Sequence, residues 1–154
     1  MALKNIHITI IVNGGVMVSQ GRVSLCVGWI TLFLMGTDLF VVSPLLPFIS
    51  EEYNVSPVMT GWMVTVFTVT YAIAAPLFGW VSDKKGRGIF ITFGLLLFSF
   101  SNALTAFSPS FTWLIISRIL AGLAVAAITP LIYAIIGDIA PSNRRGTWLS
   151  IVVS

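Results

Sequence analysis

The stretch GWVSDKKGRG, residues 79–88, gathers four charges, Asp83, Lys84, Lys85 and Arg87, into a turn between two apolar runs. The whole 154-residue chain has only eight basic and five acidic residues, and 57% of it is hydrophobic. Charged residues make up 8% of the chain, against roughly 25% in an ordinary soluble domain. So few charges cannot cover a soluble surface of this size, so lipid is the solvent the composition implies. The net charge of +3 does not indicate nucleic acid, because the basic residues are too few and scattered to form a patch. Cys26 has no partner for an internal disulfide and reads as a small hydrophobe.

Working outward from this turn, four segments are long and apolar enough to cross a bilayer core, which takes about 20 residues. They are residues 24–49, with Asp38 as their one charge; 61–81 and 89–107, with none; and 111–136, with Arg118. Short connections rich in turn formers separate them: SEEYNVSP, the opening cluster, SPS at 108–110, and GDIAPSNRRG. Ser56-Pro57 and Pro109 suit helix starts, because proline in the first turn loses no intrahelical bond. A fifth apolar run occupies 147–154 and reads as a helix cut short. Residues 1–23 read as a cytoplasmic extension; His7, Asn13, Gly14 and Gly15 interrupt them, and no signal-peptide cleavage pattern follows. His7 is given no role. The expected class is therefore an all-α membrane protein.

Basic residues set the orientation. Lys4 and Arg22 precede the first span, Lys84, Lys85 and Arg87 lie between the second and third, and Arg144 and Arg145 follow the fourth. If the spans alternate, these all lie on one side, whereas the other connections carry Glu51 and Glu52 but no Lys or Arg. The positive-inside rule then makes the N-terminus cytoplasmic, in the inner (plasma) membrane. Trp29, Trp62, Trp80, Trp113 and Trp148 fall near span ends, where indole prefers the interface.

Why should an acid sit among the bases of the opening turn? Gly79 and Gly86 suit a tight, packed hairpin. A carboxylate held there could accept hydrogen bonds from a neighbouring helix N-terminus. The pattern G-x-x-x-D-K-x-G-R, supplied by Gly79, Asp83, Lys84, Gly86 and Arg87, resembles the signature of the major facilitator superfamily. Val81 and Gly88 depart from its usual form. In the fourth span, Leu114-x-x-x-Arg118-x-x-Ala121-Gly122 is similar to that family's second motif, with alanine where glutamine is frequent. GTDLFVVSPLLP, residues 36–47, resembles the opening helix of its drug and sugar efflux branches. The resemblance covers about residues 23–154 and implies a partial major-facilitator fold: four transmembrane helices plus the start of a fifth. It also implies that the loop acid latches onto the other half of the transporter and closes the cytoplasmic side in one state. Plain hairpin architecture is the other reading of Asp83.

Asp38 and Arg118 are the costliest residues to place in lipid, at a few kcal/mol each at mid-bilayer, so neither should face acyl chains unpaired. Asp38 lies eleven residues, about 16 Å, before the outer end of its span, and Arg118 seven residues, about 10 Å, into its own. In the inverted-repeat architecture that the resemblance implies, these two helices meet around the substrate path. On the functional reading, Asp38 binds a proton or a cationic substrate and Arg118 stabilises its ionised form. On the other reading they form a static ion pair, or bond to carbonyls near Pro44 and Pro47. The small residues Ala121, Gly122, Ala124, Ala126 and Ala127 allow close helix packing.

The expected function is secondary active transport of small molecules, with proton-coupled efflux of drugs or sugars as its specific form. Expected partners are the substrate, protons and the lipid bilayer, with no cofactor, no metal and no nucleic acid. One histidine, one cysteine and no nucleophile constellation argue against an enzyme. Two alternatives remain: a dimeric four-helix multidrug transporter, and a non-transporting scaffold. The first leaves the hairpin signature unexplained, and the second leaves both intramembrane charges so. Because the fold that the resemblance implies encloses its path between two halves, 24–154 reads as an incomplete bundle that needs further C-terminal helices or another chain.

Overall fold

The computed structural model describes residues 14–140 and 145–153, and every regular element among them is helical. In chain order these are α1 (Gly14–Glu52), α2 (Pro57–Lys85), α3 (Arg87–Ala106), α4 (Phe111–Ile139) and α5 (Arg145–Val153). Lys4, His7 and Arg144 lie outside the described residues. Among the described residues, four segments are long and apolar enough to cross a membrane: Leu25–Glu52, Pro57–Lys84, Arg87–Ala106 and Phe111–Ile139. Each contains most of a span expected from the sequence. Helix α1 also runs back to Gly14, through part of the stretch read as an extension.

The helix ends follow local chemistry. Ser56 caps α2 by accepting a bond from the Met59 amide, and Pro57 is the first helical residue. Between α2 and α3 the break is one residue, Gly86, at φ +100° and ψ 123°. That conformation strains any residue with a Cβ, which accounts for glycine here. Pro109 precedes α4 by two residues. At the same end, the Tyr53 hydroxyl donates to the Ser108 carbonyl at 3.0 Å and ties the α1–α2 turn to the α3–α4 turn. Pro44, Pro47, Pro76 and Pro130 all lie inside continuous helices.

The chain divides into two compact units. One takes the residues up to Leu32 together with those from Ile135 onward; the other is Phe33–Ala134 and contains all the interhelical contacts considered below. Within this second unit α4 is the buried element. Ala121, Ala124, Ala126, Ala127 and Ile128 are fully enclosed, as are Ser117 and, nearly so, Leu131. Many large apolar residues of α2 and α3, such as Val69, Ile73, Leu96 and Phe100, are instead exposed. A bilayer solvates such a surface at no cost, whereas water would not.

Small residues bring the helices this close. A Cβ added at Gly122 would stand 2.7 Å from the Phe67 carbonyl oxygen and 3.1 Å from Thr70 Cβ, so α4 lies directly on the backbone of α2. At Gly94 it would stand 2.5 Å from Ile128 Cγ1 and 3.1 Å from the Ala124 carbonyl, which places α3 equally close to α4. Phe78 and Phe90, with ring centroids 6.1 Å apart, join α2 to α3. At Gly79, by contrast, an added Cβ would meet nothing within 4 Å, so the close approach expected there is not made among the described residues.

These contacts predict an ordered series of stabilities. Gly122→Ala should destabilise by about 1–3 kcal/mol, because the obstacle is backbone that cannot swing away. Gly79→Ala should be neutral or stabilising by up to about 1 kcal/mol, since it replaces glycine in a helix with space to spare. Unfolding midpoints in mild detergent check both.

Candidate functional site

The two intramembrane charges meet. Arg118 Nη1 donates to Asp38 Oδ2 at 3.2 Å, joining α4 to α1. The partners are unequally enclosed, with Arg118 3% exposed and Asp38 15%. In a low-dielectric setting such a pair holds strongly once formed, and a lone member would be costly.

Arg118 has a further partner, on α3. Its Nη2 donates to Thr105 Oγ1 at 2.9 Å. That hydroxyl lies 2.8 Å from Ser117 Oγ and 2.9 Å from the Ser101 carbonyl oxygen, and Ser117 Oγ in turn donates to the Leu114 carbonyl at 2.7 Å. Arg118 Nε is buried and has no hydrogen-bond partner among the described residues. One guanidinium thus links three helices through two of its nitrogens while its third polar atom goes unserved. The sequence reading missed Thr105 and Ser117. Their type was no signal, since Ser and Thr in membrane helices commonly bond the carbonyl a turn behind, as Thr31, Thr37 and Thr92 do here.

The charged turn makes a different kind of contact. Arg87 donates to Asp83 Oδ1 from Nε at 3.2 Å and from Nη2 at 3.1 Å, across the Gly86 break. Within the described residues the Asp83 carboxylate is therefore met by Arg87 and not by a helix N-terminus. The pair is well exposed, at 63% for Asp83 and 31% for Arg87. Lys84 Nζ sits 3.9 Å above the Trp80 ring, the geometry of a cation–π contact at a polar boundary. Ser82, buried beside the turn, donates to the Gly79 carbonyl at 2.8 Å. Gly79, Asp83, Lys84, Gly86 and Arg87 thus lie together at one end of α2 and the start of α3, while Asp38, Arg118 and Gly122 belong to the apolar interior. Among the described residues no cluster of His, Cys, Asp and Glu could hold a metal.

The buried pair predicts non-additive energetics. Asp38→Leu leaves the Arg118 cation without its counter-ion and should cost about 3–5 kcal/mol. Adding Arg118→Met should recover most of that loss, because the double variant leaves no stranded charge. Unfolding midpoints of the two single variants and the double variant check this.

Residues 28–154 match the family profile described as Major Facilitator Superfamily. The chain is 38% identical over 103 residues to the uncharacterised MFS-type transporter YceJ of Bacillus subtilis (strain 168), which covers 67% of this chain and 26% of that protein. It is 36% identical over 114 residues to a D-xylose transporter of Levilactobacillus brevis, covering 74% of this chain and 25% of the relative. Identity is 37% over 123 residues with multidrug resistance protein 1 of Bacillus subtilis (strain 168), covering 75% and 32% respectively. The chain therefore spans about a quarter to a third of the length of these relatives.

Proposed function

The chain belongs to the major facilitator superfamily, and from that premise we propose that it forms part of a proton-coupled secondary transporter exporting small molecules, drugs or sugars, across the bacterial inner membrane. The relatives named for D-xylose transport and for multidrug resistance support both substrate classes. The observation that carries the reading is the ion pair between Asp38 and Arg118 inside an apolar bundle. A proton or a cationic substrate that reaches Asp38 competes with Arg118 for one carboxylate. Whichever binds displaces the other, and mutual displacement at one site is the physical basis of exchange. Such a competitor reaches the pair from Asp38, its more exposed member.

The gate belongs to the charged turn. In this reading Asp83, at the end carrying Lys84 and Arg87, docks against the other half of the transporter in the outward-facing state and lets go in the inward-facing one. Its exposure and its surface-type pairing with Arg87 suit a contact that can be exchanged at low cost. A second reading, a permanent clasp between α1 and α4, draws support from the extra anchor of Arg118 on Thr105.

Liposome assays on a full-length transporter containing this chain separate the two. Asp38→Asn should abolish substrate-driven proton movement while leaving part of the ligand binding, whereas coupling that survives unchanged would favour the clasp. Asp83→Asn should slow transport about tenfold or more with little change in the amount of folded protein, since the exposed Asp83–Arg87 pair contributes at most about 1 kcal/mol to stability. Transport at the original rate would remove the gate.

A further inference from the structure

Arg118 has a long, flexible side chain, and its position within the bundle is fixed by what its far end touches. Holding an arginine in one rotamer opposes its considerable side-chain entropy. Asp38 alone offers one contact of 3.2 Å, longer than the usual charge-assisted bond of about 2.7–2.9 Å. The shorter contact, 2.9 Å, is the one to Thr105. We infer that Thr105 is a positioning residue, whose hydroxyl oxygen pins Arg118 Nη2 to α3 and so aims Nη1 at Asp38.

The hydroxyl is suited to this task because its own proton is already committed. Thr105 Oγ1 can donate to the Ser101 carbonyl at 2.9 Å or to Ser117 Oγ at 2.8 Å. Ser117 spends its proton on the Leu114 carbonyl, so its oxygen is available as an acceptor. Either choice turns a Thr105 lone pair toward the guanidinium. Ser101 and Ser117 are fully buried and Thr105 half-buried, so these bonds are largely shielded from water. Arg118 Nε has no partner among the described residues, so loss of Thr105 would leave the guanidinium with Asp38 as its one remaining anchor. A cation held at one point wanders among rotamers, and the carboxylate it serves loses its counter-ion for part of the time. A carboxyl that is not held in the ion pair is then open to reagents that the pair excludes.

This inference rests on the coupling role proposed for Asp38, and its test reads Asp38 directly so that the two can fail separately. A hydrophobic carbodiimide modifies protonated carboxyl groups within membranes, and peptide mass spectrometry reports modification at Asp38 itself. The experiment uses membrane vesicles containing the protein, with its thermal unfolding recorded in parallel. Thr105→Val keeps the shape of the side chain and removes the hydroxyl. It should raise the initial rate of Asp38 modification about three- to tenfold, the scale of one ordinary net hydrogen bond lost. Thr105→Ser keeps the oxygen and should stay within about twofold of the parent protein. Arg118→Gln should react at least as fast as Thr105→Val. A Thr105→Val rate equal to or below that of the parent, an equally fast Thr105→Ser, or a slow Arg118→Gln would each overturn the assignment. If Thr105→Val responds as expected but Asp38→Asn retains coupling in liposomes, the positioning stands and the coupling role falls. The opposite pair of results reverses that outcome.

Discussion

A bilayer core offers no water to a stranded charge, and the arrangement of the Phe33–Ala134 unit follows from that constraint. Asp38 and Arg118 can remain in their helices only by finding each other, so α1 and α4 must be neighbours at that depth. The pair in turn needs the helices to approach within side-chain reach. Association in lipid has no hydrophobic driving force, because acyl chains are as apolar as leucine, so van der Waals contact between backbones must supply it. Gly122 against Phe67 and Gly94 against Ile128 are where that contact is made. Small residues and the ion pair are therefore parts of one solution: the first bring the bundle together, and the second fixes its register.

Much of this was legible in the sequence because a bilayer imposes coarse rules. Span number, their approximate ends, and the turn at Gly86 follow from apolar length and from glycine and proline chemistry, which act locally. That Asp38 and Arg118 should be near each other also followed, since rare charges at similar depth have few ways of being satisfied. What could not be read were contacts whose partners look ordinary. Thr105 is one of several hydroxyl residues that bond back along their own helix, and only the packing of α3 against α4 gives it a second role. Gly79 illustrates the opposite error. A glycine in a packed-hairpin signature suggests close approach, yet among the described residues a Cβ there would meet nothing within 4 Å, while Gly94, in an unremarkable stretch of α3, makes the tight contact. Glycine marks permission for closeness, and the partner decides whether it is used.

The Asp83–Arg87 and Asp38–Arg118 pairs also obey different electrostatics. Asp83 and Arg87 sit where solvent and headgroups screen them, so their attraction is weak and readily exchanged for another. Asp38 and Arg118 sit where screening is slight, so each state of protonation or occupancy changes the local energy substantially. Transport as proposed above uses both kinds: a gate that opens and closes cheaply, and a binding site whose occupancy carries enough free energy to bias the gate.

The asymmetry within the buried pair indicates which member would move. Arg118 lies on the most enclosed helix of its unit, is itself almost wholly buried, and holds α3 through Thr105. Asp38 has one charged partner, more exposure, and a helix containing Pro44 and Pro47, each of which removes a backbone bond and eases bending. Neutralising Asp38 would therefore remove this tie between α1 and α4 and leave α3 and α4 joined, because the Arg118–Thr105 bond does not depend on the carboxylate. The reverse does not hold: displacing Arg118 would disturb both contacts at once. An exchange mechanism built on this pair thus has a fixed cation and a releasable anion, and the helix carrying the anion is the one free to respond to what binds there.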